Sequence, residues 1–295
     1  RMYLLKLFLS CLMIKGGFAT INIHFKCRGG LYPKSNVERF PVSDNNVSWT
    51  TSYDDYQPRN YTSSSIEGQP WADPEIEPNF KPKWNSLDGN INRKSYMGNY
   101  EIRNGVSLNP IGRTGIVGRG VCGRWGPNHA ADSVVTRWKK LKTGAVAKDE
   151  NNKPILQFVS IKRDDTGEWA IPGGMVDPGE RVAAAAVREF QEEATNSFKE
   201  ALRARFTEFF SHGEEVYRGY VDDPRNTDNS WLETIAYNFH DEDSSVVGSL
   251  PLKAGDDAVG VNWVDITPDI KLYANHEVYV QEVLKRRMAS HWCYN

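Results

Sequence analysis

At 295 residues, with 39% hydrophobic and 25% charged side chains, the chain has material for one large domain or two modest ones with real cores. A formal net charge of −2 gives no electrostatic reason to expect nucleic acid as a partner. The cysteines Cys11, Cys27, Cys122 and Cys293 show no C-x-x-C spacing, so neither a zinc site nor a disulfide framework is indicated and a reducing compartment is expected. From Arg1 to Val37 there is no Asp or Glu, while Arg1, Lys6, Lys15, Lys26, Arg28 and Lys34 are basic and Met2 to Ile14 is largely apolar. That is a targeting composition, here set at residues 1–30. It fits a mitochondrial presequence, with a signal peptide broken by Lys6, or a plain cytoplasmic N-terminus, as alternatives. The apolar run is too short for a membrane span.

Residues 31–110 are rich in Pro, Ser, Asn and Tyr and read as a small loop-rich domain. Trp49, Trp71 and Trp84 sit there among turns such as Ala72-Asp73-Pro74 and Leu87-Asp88-Gly89, as aromatic anchors for packing on the rest of the chain. Residues 111–295 alternate strands and helices. Strands are expected at Val134–Trp138, Ile155–Arg163, Trp169–Ile171, Val216–Tyr220, Trp231–Phe239 and Val259–Val264. One helix runs through Ala183 to Ala194. A second follows from Ser197, where Ser197 and Glu200 make a capping box and Phe198, Leu202, Phe206, Phe209 and Phe210 repeat at helical spacing. A last helix spans Glu277–Met288. This alternation predicts an α/β fold, with a mixed sheet between helices.

The first of these helices carries the chemistry. At about 100° per residue, Glu189, Glu192 and Glu193 fall in one narrow sector beside the apolar stripe of Ala183, Ala186, Val187, Phe190 and Ala194. Like charges three or four apart cost a helix roughly 0.2–0.5 kcal/mol per pair, and a cation reverses that sign. Mg2+, with Mn2+ as the alternative, suits such a stripe because it takes carboxylate oxygens and shares its coordination with substrate phosphates. Arg188 flanks the acids and can pair with one of them. Upstream, Trp169-Ala170-Ile171-Pro172-Gly173-Gly174-Met175 reads as a short strand entering paired glycines, where backbone oxygens such as that of Gly173 can approach a metal. Asp177-Pro178-Gly179-Glu180 then forms a turn that opens the helix, with Pro178 suited to its start. A solvated acidic face is the ordinary fate of a charge run, but the glycine turn in front of this one argues for a site.

These residues resemble the Nudix box, G-x5-E-x7-R-E-U-x-E-E-x-G-U, through Gly174, Glu180, Arg188, Glu189, Phe190, Glu192 and Glu193. The pattern departs at the end, with Thr195 for Gly and Asn196 for an apolar residue, positions that only terminate the helix. The segments Gly112-Arg113-Thr114-Gly115, Arg124 to Asp132 and Gly219 to Asn229 are similar to the mitochondrial ADP-ribose pyrophosphatase branch of that family, and the likeness extends from about Tyr32 to the C-terminus. The resemblance implies a Nudix α/β/α sandwich preceded by the small domain. It also implies a monomeric enzyme that hydrolyses ADP-ribose to AMP and ribose 5-phosphate, with Gly173, Glu189, Glu192 and Glu193 on the metal and Glu180 and Arg188 orienting those ligands. The same branch includes the C-terminal domain of the ADP-ribose-gated melastatin-type cation channel, so a sensor is the rival reading. Arg188-Glu189-Phe190, intact here, favours catalysis. A Nudix enzyme for NADH or diadenosine polyphosphates is a third possibility.

Other constellations carry less information. Gly118-Arg119-Gly120-Val121-Cys122-Gly123 fits G-x-G-x-x-G formally, but no helix follows it, so a dinucleotide fold is not indicated. Two readings of this segment remain: Arg113, Arg119 and Arg124 offer guanidinium forks to phosphates, or the glycines shape a junction between domains. His129 beside them is a candidate phosphate contact. Asp222, Asp223, Arg225 and Asp228 lie in a turn-rich stretch between two strands, and the resemblance makes them candidates for the ribose hydroxyls. In related Nudix enzymes the loop before the last strand supplies an acid that activates water, a role open here to Asp256 or Asp257. No Ser-His-Asp or Cys-His arrangement is legible, which argues against covalent catalysis.

Overall fold

The computed structural model describes residues 24–76, 80–194, 200–248, 252 and 258–293, of which 193–194, 200–204, 258 and 289–293 are described as backbone only. The targeting segment up to residue 23, Ser197 with its capping box, and Asp256 and Asp257 lie outside the described residues.

The first part of the chain has little regular structure, as its Pro, Ser and Asn content dictates. Besides short 3-10 turns, its described elements are β1 (Arg59–Thr62), a hairpin of β2 (Leu87–Asp88) and β3 (Ile91–Asn92), and a hairpin of β4 (Ile102–Arg103) and β5 (Val106–Ser107). The strand β6 (Ile116–Gly120) pairs in parallel with β1, so the chain is still knitted to the small domain beyond the expected border at residue 110. Side chains hold what ladders do not. Arg113, 7% exposed, donates to the carbonyls of Asn46, Ser48 and Thr51, and Trp49, Tyr53 and Tyr56 surround its guanidinium at 5.0–5.8 Å.

The second part of the chain is a mixed sheet in the order β11-β12-β7-β8-β13, with β7 at Gly126–Trp138, β8 at Leu156–Arg163, β11 at Glu214–Tyr220, β12 at Ser230–Asp241 and β13 at Ala258–Asp265. Only β12 and β7 run parallel. Two short strands extend it: β9 (Trp169–Ala170) on β8 and β10 (Gly173–Met175) on the first half of β7. Among the described residues three α-helices cover the sheet: α1 (Val182–Ala194), α2 (Glu200–Ser211) and α3 (His276–Cys293). Strand alternation divides the core into two layers. Val134, Phe158 and Ala236 pack with Tyr279, Val280 and Val283 of α3, while their neighbours Val135 and Val159, together with Phe239, pack with Phe190 of α1 and Phe206 and Phe210 of α2. The result is the expected α/β/α sandwich.

Two local structures depart from what the sequence predicts. β7 starts at Gly126, eight residues before the expected Val134, because Gly126-Pro127-Asn128-His129 carries turn-like residues that nonetheless pair with β12. Pro127 is tolerated because Asn128 supplies hydrogen bonds of its own, accepting from Arg124 N and donating to Ser230 Oγ. Pro178 does not open α1 either: Asp177 to Glu180 close a turn, with Glu180 N donating to Asp177 O at 2.9 Å and Gly179 at φ +82°, and the helix begins at Val182.

The glycines of the G-x-G-x-x-G segment serve the junction. A Cβ on Gly118 would meet the Tyr61 carbonyl, one on Gly120 the Tyr32 hydroxyl and one on Gly123 the Trp71 indole, so each glycine admits a residue of the small domain.

Candidate active site

The turn from β10 into α1 brings the box together. Gly174 has no side chain because the carboxylate of Glu189 lies where its Cβ would be, and at Gly173 a Cβ would collide with Asp132 Oδ1. Paired glycines thus let the strand backbone lie directly against two carboxylates. Arg188 organises the acids: its Nε and Nη2 donate to Oε1 and Oε2 of Glu180 at 3.1 and 3.0 Å, its Nη1 donates to Glu189 Oε1 at 2.8 Å and Glu192 Oε2 at 3.2 Å, and Nη2 also reaches the Met175 carbonyl at 3.0 Å. Glu180 closes the turn by accepting from Asp177 N. Burial raises the Glu189 carboxyl above its usual range against the pull of Arg188, with Glu192 and Glu180 adding to the rise. Glu180, bonded to Arg188, is held below its usual range. Glu193 occupies the next turn of α1 as backbone only.

This donor set fits a hard divalent cation. Arg188 engages one named oxygen of Glu189 and one of Glu192, a carboxylate has two, and the half-buried, raised Glu189 is a group whose charge a cation would stabilise. Among the described side chains alone there is no cluster of three His, Cys, Asp or Glu in metal-binding geometry.

A cavity of about 610 Å³ opens beside the box, between the two parts of the chain. Met175 to Glu180 form one wall, Trp71, Leu87 and Tyr96 of the small domain another, and Arg124 and Arg225 supply nitrogen donors beside His129. A smaller hollow of about 70 Å³ beneath Gly173 and Gly174 contains Asp132, Asp223, Tyr273 and His276 and shares Arg225 with the larger one. Burial pushes Asp132 up to about 7 and His276 down to about 3.

The other candidate residues separate. Arg124 reaches the cavity while donating to Asp73 Oδ1 at 2.9 Å. His129 lines it with Nε2 on the Lys94 carbonyl at 3.0 Å and Tyr96 at 4.8 Å between ring centroids, and burial lowers its pKa to about 4. Arg225 lies there with its fork on Asp223, Nε to Oδ1 and Nη2 to Oδ2, both at 2.8 Å, and Tyr273 donates to the same Asp223. Four candidates stand away from the cavity. Arg113 is bonded into the small domain as described, and Arg119, 2% exposed, donates to the carbonyls of Asp73 and Gly123 and to Glu75 Oε1. Asp222 accepts from the backbone N–H groups of Lys26 and Cys27, and Asp228 from Thr114 and from the Tyr56 hydroxyl at 2.6 Å.

Two further acids hold the structure together. Asp73, read as a turn residue, takes both Nη atoms of Arg93 at 2.7 and 3.0 Å, Arg124 and Trp125 N. Glu233, fully buried in β12, accepts from Ser95 Oγ, Tyr96 N and Trp231 Nε1 and so pins the loop that carries Tyr96. An acid among turn residues, or the single charged position within Trp231–Phe239, was the available signal. The partners lie too far away in sequence to be seen.

A sandwich whose glycine turn and acidic helix meet at one arginine defines a hydrolase built for diphosphates. The NUDIX domain family matches residues 138–281, and the NUDT9-like, N-terminal domain family matches residues 42–126. The chain is 51% identical to "ADP-ribose pyrophosphatase, mitochondrial" of Rattus norvegicus, over 92% of this chain and 80% of that protein. It is 45% identical to "Putative nudix hydrolase 6" of Caenorhabditis elegans, covering 88% of this chain and 95% of the relative. It is also 45% identical to "Transient receptor potential cation channel subfamily M member-like 2" of Nematostella vectensis, covering 91% of this chain but only 18% of the channel. The protein belongs to the Nudix hydrolase family, whose members generally use divalent metals.

Proposed function

We propose that the protein hydrolyses ADP-ribose to AMP and ribose 5-phosphate with Mg2+, or Mn2+ in its place, and acts as a monomer in the mitochondrion. The observation that carries the reaction is the Arg188 constellation, in which Glu180, a residue of the cavity wall, and Glu189 and Glu192 behind it are already oriented by one guanidinium. The name of the Rattus norvegicus relative supports the substrate and the compartment. In this reading Glu189, Glu192, Glu193 and the Gly173 carbonyl hold the ion, which when bound neutralises charge developing on the diphosphate oxygens. Arg188 and Glu180 fix the direction of the acids. Arg124, Arg225 and His129 position the substrate, Asp223 orients Arg225 toward it, and Asp256 or Asp257 takes a proton from the attacking water. An ADP-ribose sensor, the reading the channel relatives suggest, has no need of an intact Arg188-Glu189-Phe190 beside the bond to be broken.

The test is incubation with ADP-ribose and Mg2+ in oxygen-18 water. Release of AMP and ribose 5-phosphate, with label on one phosphate only, is expected. Binding without products promotes the sensor, and faster cleavage of NADH rejects the substrate.

A further inference from the structure

Trp71 belongs to none of the machinery above, yet at 47% exposure it is among the barest large apolar side chains of the described residues. It is also held firmly. The six-membered ring of its indole rests on Gly123, where a Cβ would come within 2.8 Å of Cε3 and 3.0 Å of Cζ3. Ala72 N donates to Gln69 O at 3.0 Å, and Asp73 N donates to Gly123 O at 2.8 Å. The Asp73 carboxylate is locked between Arg93, Arg124 and Trp125 N. A rigid indole with about half its surface bare therefore forms part of the cavity wall. Leu87 and Met175, themselves 59% and 40% exposed, line the same cavity. Apolar surface concentrated in one concave site marks where a ligand is bound. The guanidinium groups of the cavity, Arg124 and Arg225, suit the charged part of a nucleoside diphosphate, which leaves the apolar wall for a flat, uncharged part.

We propose that Trp71, seated on Gly123, is the platform on which the purine base of the substrate stacks, so that the small domain reads the base while the sandwich holds the diphosphate. The inference rests on the nucleoside-diphosphate reading of the cavity. Every base has a π-face, and loss of one aromatic stacking partner weakens binding roughly 5- to 150-fold. Phe preserves a ring at this position and Ala does not.

Calorimetric titration of the whole chain with AMP and, separately, with ribose 5-phosphate tests this. Trp71→Ala is expected to weaken AMP by roughly 5- to 150-fold, Trp71→Phe to stay within a few-fold of wild type, and ribose 5-phosphate to bind all three proteins alike. Equal AMP binding by wild type and Trp71→Ala overturns the platform. So does a parallel loss of both ligands, which would mark a displaced cavity wall, or failure of wild type to bind AMP at all. If wild type does not cleave ADP-ribose but AMP binding still depends on Trp71, the proposed reaction falls and the platform stands.

Discussion

Arg188 uses all five of its N–H groups, two on Glu180 and one each on Glu189, Glu192 and the Met175 carbonyl. A planar fork can serve acceptors on three sides at once, whereas a lysine gathers its donors at one point. Arg188→Lys should therefore leave the fold intact and lower kcat by about 10–100-fold, the usual consequence of loosening the groups behind metal ligands. A kcat measured across a Mg2+ titration checks this, and full recovery at high Mg2+ would show that Arg188 orients the ligands only indirectly. Glu189→Gln keeps the shape and removes the charge, so turnover should fall by on the order of 10²-fold or more while AMP binding changes little. Near-normal turnover would remove Glu189 from the metal site. Asp228 offers a prediction of another kind. Burial raises its pKa from 3.8 to about 6 although Thr114 and Tyr56 donate to it. Between those values the unfolded carboxyl is ionised while the folded one keeps its proton, so its contribution to stability is full below the unfolded pKa and is lost as pH rises through the folded one. Asp228→Asn cannot titrate, and its stability relative to wild type should improve from pH 4 to pH 6 and level off above. Urea midpoints across that range would show it. A flat difference would mean that Asp228 stays ionised in its pocket.

Among the elements, the β10–α1 corner leaves no room for added volume beside the acids. Neither Gly173 nor Gly174 has a positive φ, so alanine is permitted by the backbone and excluded only by what it would touch. Gly174→Ala pushes a methyl into the half-buried Glu189 carboxylate, the far end of a flexible side chain that can move. Activity should fall by an order of magnitude or more while the melting temperature shifts by only a few degrees. A loss of stability without a loss of kcat would contradict this assignment. Much of this corner was legible in the sequence. The spacing from Gly174 to Glu193 is local, and helical periodicity puts acids three and four apart on one side whatever the rest of the chain does. The six expected strands and three helices share that advantage, since a period of two or of 3.6 is written in neighbouring residues. The first half of β7 was hidden because Gly126, Pro127 and Asn128 have turn chemistry, and only pairing with β12, about a hundred residues away, makes them a strand. The arginines were hidden for the same reason. Arg113, Arg119 and Arg124 look alike in sequence, and only their distant partners, the carbonyls of Asn46 and Ser48, Glu75 and Asp73, separate two junction residues from one that reaches the cavity.

At the scale of the whole molecule, the cavity exists only while the small domain stays on the sandwich, and Asp73 is the centre of that contact. Its side chain is 1% exposed and is shared by Arg93, also 1% exposed, and Arg124, with Trp125 N as a third donor group. Removing one partner of a buried ion pair leaves the other charge without compensation, at a cost of roughly 3–5 kcal/mol. Asp73→Asn keeps the volume, but presents an amide N–H to guanidinium donors and leaves Arg93 and Arg124 both short of an acceptor. A control is available in the same domain: Arg103 and Glu101 pair at 2.9 Å with side chains 45% and 53% exposed, where water screens the charges. For such a pair Glu101→Gln should cost no more than about 1 kcal/mol. Urea unfolding followed by tryptophan fluorescence and by circular dichroism separates the cases. The Asp73 variant should unfold at markedly lower urea, and its fluorescence transition should precede the loss of secondary structure as Trp71 and Trp125 at the junction come apart from the sheet. Because Arg124 is released into the cavity, KM for ADP-ribose should rise more than kcat falls. Equal urea midpoints for the Asp73 and Glu101 variants would mean that the junction is held by its glycine contacts and aromatic packing instead, with the buried acid a minor partner.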